Sequence, residues 1–79
     1  MNYDEELDVQ GQVCPMPSLK ARKKLDNMDD GKILKVVTDY EPASTSVPRD
    51  IAKTGRHEFL GTEFDDDEEV WNLYFKVKK

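Results

Sequence analysis

Ile33-Leu34-Lys35-Val36-Val37-Thr38 is the stretch on which the fold turns. It is rich in β-branched residues and nearly continuous in apolar character. Such a run predicts a strand buried on both faces or central in its sheet. Upstream, Asp29-Asp30-Gly31 closes a helix, the glycine supplying a left-handed cap. The helix itself is rich in good formers, Leu19, Lys20, Ala21, Arg22, Lys23, Lys24 and Leu25. Ala21, Leu25 and Met28 fall at i, i+4 and i+7 and make one apolar stripe, which Pro17 and Ser18 extend backwards. Before that helix Gly11 opens a turn, and Leu7-Asp8-Val9 alternates as a short first strand.

Downstream, Asp39 to Ser46 reads as a polar connection, and Thr45 or Ser46 as the cap of a second helix with Pro48 in its first turn. Val47 and Ile51 form its i, i+4 pair, and Gly55 stops it near residue 54. His57 to Phe64 predicts a strand with a bulge at Gly61. Asp65-Asp66-Asp67-Glu68-Glu69 is too charged to pack and predicts a hairpin loop. Val70 to Val77 alternates, with Trp71, Leu73, Phe75 and Val77 on a core face and Asn72, Tyr74 and Lys76 on a wet one. The order βαβαββ predicts an α/β (α+β) two-layer sandwich, a four-stranded mixed sheet with two helices on one face. One domain over residues 1–79 is expected.

Composition narrows the function. The 79 residues hold 12 Lys+Arg and 17 Asp+Glu, a formal net charge of −5, which disfavours direct nucleic-acid binding. No apolar run approaches the roughly 18 residues a membrane span needs. Asp4, Glu5, Glu6 and Asp8 near the start are the reverse of a signal-peptide n-region. A cytoplasmic protein without membrane partners is expected. The single cysteine, Cys14, excludes an internal disulfide or a Cys-x-x-Cys pair. The single histidine, His57, argues against a protein-only zinc site. No cofactor is implied.

Cys14-Pro15-Met16-Pro17 then carries the chemistry. With Pro15 as the first helical residue, Cys14 is the N-cap, at the helix end of partial positive charge. A thiolate or persulfide is favoured there, and thiols so placed titrate at roughly 3.5–7.5 instead of about 8.5. Pro15 and Pro17 lack N–H groups, which narrows the first-turn donors to Met16 and Ser18, and they stiffen the approach. From Pro15 to Leu25 there are four bases, Lys20, Arg22, Lys23 and Lys24, and no acid. That basic island suits an acidic partner surface or an anionic sulfur. Plainer readings stand beside these. A lone cysteine is commonly a small buried hydrophobe, the lysines can be the wet face of a helix, and nothing in the sequence brings His57 near Cys14.

Leu7-Asp8-x-x-Gly11-x-x-Cys14-Pro15-x-Pro17, followed by a helix, a strand ending at Asp39, a helix entered through Val47-Pro48 and Gly55 before a strand, resembles the TusA/SirA-like sulfur-carrier family over residues 5 to 77. The resemblance implies a persulfide carried on Cys14, with Pro15, Met16 and Pro17 shaping the helix terminus. It implies a protein sulfur donor of the cysteine desulfurase or rhodanese type and a protein acceptor; nothing in the sequence demands a dimer, and a monomer is expected. A desulfurase-contacting arginine of the tRNA-thiolation members matches Arg22, flanked by Lys20 and Lys23, and the acid closing strand two matches Asp39. Where those members have a second acid, an arginine and another acid, this chain has Tyr40, Thr45 and Ser46. That departure argues for a different partner surface. The alternatives are a non-catalytic interaction or regulatory module and a single-cysteine redox sensor.

Overall fold

A computed structural model of the chain describes residues 2–13, 16–54 and 57–78. In it the elements run β1 (Glu5–Asp8), α1 (Met16–Asn27), β2 (Ile33–Thr38), α2 (Glu41–Thr54), β3 (Glu58–Asp65) and β4 (Val70–Lys76). The strand order is β1-β2-β4-β3, with β1 parallel to β2 and the other pairs antiparallel. The apolar run of β2 is therefore interior to the sheet, as its composition predicts. Leu34 faces Phe75 and Val36 faces Leu73 across the β2–β4 ladder. These four side chains meet Ala21, Leu25 and Met28 of the first helix and its exit, and Ala43, Val47 and Ile51 of the second, in one buried cluster. Both helices thus cover the same sheet face. Each fully buried Val, Leu or Phe contributes about 1.5–3 kcal/mol of transfer free energy.

Four local expectations are corrected. The second helix begins at Glu41, not at Thr45 or Ser46. Tyr40 N–H donates to Thr38 Oγ1 (3.1 Å) and Ala43 N–H to the Tyr40 carbonyl (3.0 Å), which starts the helix directly after β2. Pro42 occupies the first turn, where a missing N–H is free of cost, and Pro48 is interior. Ala43, Val47 and Ile51 at i, i+4 and i+8 are all buried, and that stripe outweighs the one helical bond Pro48 removes. Gly31 lies four residues beyond the end of α1. Its φ of 86° turns the chain toward β2, and its N–H donates to the Val77 carbonyl (2.9 Å). The first strand starts two residues earlier than Leu7–Val9 and ends at Asp8, although Val9 N–H still donates to the Val37 carbonyl (2.8 Å).

The fourth correction concerns β4, which is not one-sided. Asn72 and Tyr74, on the face away from the helices, are 9% and 3% exposed. Flanking by β2 and β3 encloses them, and Tyr3 lies over Tyr74 (centroids 6.5 Å apart). Trp71 is only half-buried and packs on Phe64 at 4.9 Å, outside the main core. The bulge expected at Gly61 is present as a register shift between Phe59 and Gly61. The turn from Asp66 to Glu69 is the expected hairpin, with Asp65 Oδ1 accepting from the N–H groups of Asp67 and Glu68. Among the described residues no helix is long and apolar enough to cross a membrane.

Candidate functional site

Parallel β1 and β2 discharge their C-terminal loops at one end of the sheet, and both helices start there. Thr38 at the end of β2 faces Trp71 at the start of β4, so the β3–β4 hairpin emerges at that end as well. Three loops therefore converge: the one that follows β1 and leads toward the Cys-Pro-x-Pro motif, the β2–α2 junction, and the acidic hairpin. The sequence reading treated the hairpin as a solvated loop and did not bring it to the motif end. The resulting surface is bipolar, basic along α1 and acidic at the hairpin.

Asp39 ties two of these loops together. Its Oδ1 accepts the Gly11 N–H at 2.9 Å, across 28 residues of sequence. Gly11 has a φ of 79°, a backbone conformation that costs other residues about 1–2 kcal/mol. Asp8 Oδ1 accepts the Gln10 N–H at 2.9 Å and shapes the same turn. The Leu-Asp, Gly and strand-closing acid of the motif pattern thus fall within one hydrogen-bonded loop.

Cys14 and Pro15 lie outside the described residues, and with them the expectation that Cys14 caps α1. On either side of them, Met16 N–H donates to the Val13 carbonyl at 3.1 Å. Of the two first-turn donors expected to face the sulfur, the Met16 N–H is thus engaged. Pro17 and Ser18 are buried, whereas Val13, Met16 and Leu19 are 58%, 45% and 46% exposed. The sequence singles out Leu19 only as a good helix former and Val13 not at all, so their exposed apolar character emerges only from the structure. It gives the motif end an exposed apolar rim.

Two buried oxygens flanking the motif, Gln12 Oε1 and Ser18 Oγ, have no hydrogen-bond partner among the described residues. An orphaned hydroxyl costs about 1–3 kcal/mol, and serine is also a poorer helix former than alanine. Ser18→Ala is expected to raise stability by about 0.5–2 kcal/mol, checked by the urea midpoint. A loss of stability would mean that the hydroxyl has a partner in solution.

The remaining expected site residues sort by helix face. Lys20, Arg22 and Lys23 are all exposed. Lys20, Lys23, Lys24 and Asn27 follow i, i+3, i+4, i+7 spacing and share one face, and Arg22 lies off that stripe. His57 is not brought to the motif. It is buried, with Nε2 3.0 Å from Asp26 Oδ1 and Nδ1 accepting the Lys78 N–H at 3.2 Å. Nδ1 as acceptor leaves the proton on Nε2, which donates to Asp26. Asp26 lies ten residues along α1 from Met16, about 15 Å at helical rise. That histidine anchors the C-terminal strand exit.

On the helix-free sheet face, Lys35 and Tyr74 have shifted titrations. Burial works against the charge of Lys35, but its hydrogen bond to Glu6 and the negative neighbours outweigh that, and its pKa is raised. Burial, then the Glu63 charge, pushes the Tyr74 phenol up. Both shifts favour the protonated forms these groups already hold at neutral pH, so neither supplies a base.

Comparison with known proteins agrees with this fold. Residues 5–77 match the family model described as Sulfurtransferase TusA. A relative from Archaeoglobus fulgidus is 40% identical over 75 residues, covering 95% of this chain and 83% of its own. A Thermotoga maritima relative is 42% identical over 72 residues, covering 91% and 89%. Both have sulfur carrier protein in their names. Sulfur carrier protein TusA of Allochromatium vinosum is 33% identical over 78 residues, covering 99% and 96%. The crystal structure of a SirA-like protein from Desulfitobacterium hafniense superposes with a TM-score of 0.72 at 23% identity, over 96% of this chain and all of the other, and shares the fold.

Proposed function

The chain belongs to the TusA/SirA-like family, and from that premise we propose that it is a sulfur carrier with Cys14 as the sulfur-bearing residue. The Cys14 thiolate attacks the outer sulfur of a donor persulfide. A new S–S bond forms at Cys14 as the donor's S–S bond breaks, and the donor leaves as a thiolate. An acceptor thiolate then attacks the outer sulfur on Cys14 and restores the Cys14 thiolate, with no net redox change. Pro15, Met16 and Pro17 shape the helix start, and the N-terminal end of α1 favours the anionic sulfur.

The observation that carries this reading is the tethering of the motif loop. The Asp39–Gly11 bond holds the chain ahead of Cys14 at an end where exposed Val13, Met16 and Leu19 offer a docking rim. Relatives named as sulfur carriers support it. Lys20, Arg22 and Lys23 serve partner docking, with the exposed Asp39 at the same end. A lone thiol suits a relay in the reducing cytoplasm, since no internal cysteine can resolve the persulfide. A desulfurase or rhodanese donor, a protein acceptor and a monomeric carrier complete the reading.

Intact mass without reductant tests it. After incubation with a cysteine desulfurase and cysteine, or a rhodanese and thiosulfate, the protein is expected to gain one sulfur atom, removed by dithiothreitol and absent in Cys14→Ser. Oxygen adducts alone under mild peroxide would indicate a redox sensor. A protein that stays unmodified under both treatments would be an interaction module.

A further inference from the structure

Leu7 of β1 and Lys20, Lys23, Lys24 and Asn27 of α1 line a groove of about 260 Å³ whose surface is almost wholly hydrocarbon. Leu7 is its apolar floor, and the lysine stems form walls with their charged heads at the rim. We propose that this groove docks an acidic, extended segment of a partner protein, with an apolar side chain over Leu7 and carboxylates at Lys20 and Lys23.

Charge complementarity selects that occupant. On a chain of net charge −5, three lysines converge here on one side of a helix whose segment from Pro15 to Leu25 holds no acid. Lys24 is already paired, with Glu5 Oε1 at 2.7 Å. Among the described residues Lys20 and Lys23 have no ion-pair partner, and both are exposed. A basic rim around an apolar floor admits a carboxylate-rich segment and repels a basic one.

Backbone geometry supports an extended partner. β1 is an edge strand of four residues paired only with β2, so its outer side has no strand neighbour. The groove starts at Lys20, about one turn past Met16, and runs down α1 away from the motif end. An occupant lies alongside the sulfur-bearing end and holds its own protein there, a gain in effective concentration rather than in chemistry. The partner's part in sulfur relay rests on the carrier reading, whereas the binding itself does not.

The test uses ¹⁵N-labelled protein and a synthetic peptide, Glu-Glu-Leu-Glu-Asp with blocked ends, against a control with lysine at every acidic position. Saturable amide shifts are expected at Leu7, Lys20, Lys23, Lys24 and Asn27 with the acidic peptide only. Lys20→Glu with Lys23→Glu, verified as folded by circular dichroism, is expected to bind on the order of tenfold more weakly, and added salt to weaken the wild type. Absent shifts, shifts centred on other residues, or equal binding of the basic control would overturn the proposal. So would concentration-dependent shifts at these residues without peptide, accompanied by a dimeric mass, which would make a second copy of the chain the occupant. Cys14→Ser is expected to bind the peptide as wild type does. Failure of sulfur loading with peptide binding intact would sink the carrier reading alone, and the reverse pattern would sink the groove alone.

Discussion

Phe75→Ala is expected to remove a large share of the stability of this protein. Phe75 is fully buried, faces Leu34 on β2, and stacks at 5.3 Å on Phe59 of β3, so one ring joins the three strands β2, β4 and β3. Phenylalanine-to-alanine changes in cores cost about 3–5 kcal/mol, because the transfer term is joined by a cavity the neighbours only partly fill. A domain of this size has roughly 4–12 kcal/mol in total. At about 1 kcal/mol per molar urea for a small domain, the midpoint should fall by roughly 3 M or more. Phe64→Ala is the control, since Phe64 is 49% exposed and its ring packs on the half-buried Trp71. Its expected cost is about 1 kcal/mol. Comparable losses from both would place the core elsewhere than on the β2–β4 ladder.

Asp39→Ala is expected to slow sulfur transfer to and from protein partners by about tenfold, with Asp39→Asn close to wild type. The Asp39 carboxylate accepts the Gly11 N–H, and a charge-assisted bond of this kind is worth about 1.5–3 kcal/mol where it is shielded and less at an exposed site. Removing it frees the chain between Gly11 and the motif, and reacting sulfurs displaced by about 1 Å lose on the order of a hundredfold at worst. Asparagine keeps an accepting oxygen at the same place and loses only the charge. If Asp39 acts solely by presenting its charge to a partner, both substitutions will slow transfer equally. Transfer rates by quenched-flow mass measurement, with global stability followed separately, distinguish the two roles. A tether predicts faster amide exchange at Gly11 in Asp39→Ala with little change in melting temperature.

These two residues also mark how far the sequence could be read. The place of Phe75 on the core face follows from the alternation of Val70 to Val77, and its enclosure follows from that alternation and the apolar run opposite. The face with Asn72 and Tyr74 misled for a related reason. Alternation reports which side chains share a face, and says nothing of whether strands on both flanks and the Tyr3 segment will close the second one. The start of α2 was misjudged because Thr45, Ser46 and Pro48 make a credible local cap, while Tyr40 and Pro42 make a competing one six residues earlier. Burial of Ala43 beneath the sheet decides between them, and that contact is not local.

By itself the chain dictated the element order, the central rank of Ile33–Thr38, the apolar stripe of α1, the bulge at Gly61, the hairpin, and the Cys14 motif with its family pattern. Apart from the family pattern, which is spread along the chain, these depend on neighbours within a few residues, where side-chain period and backbone preference act. Only the folded structure decided that Asp39 reaches Gly11, that the acidic hairpin shares an end with the motif, that His57 sits at the far end of α1, and that lysines of α1 meet Leu7 in a groove. Each of those depends on strand order and chain reversal, which the packing of the whole core selects and no local spacing encodes.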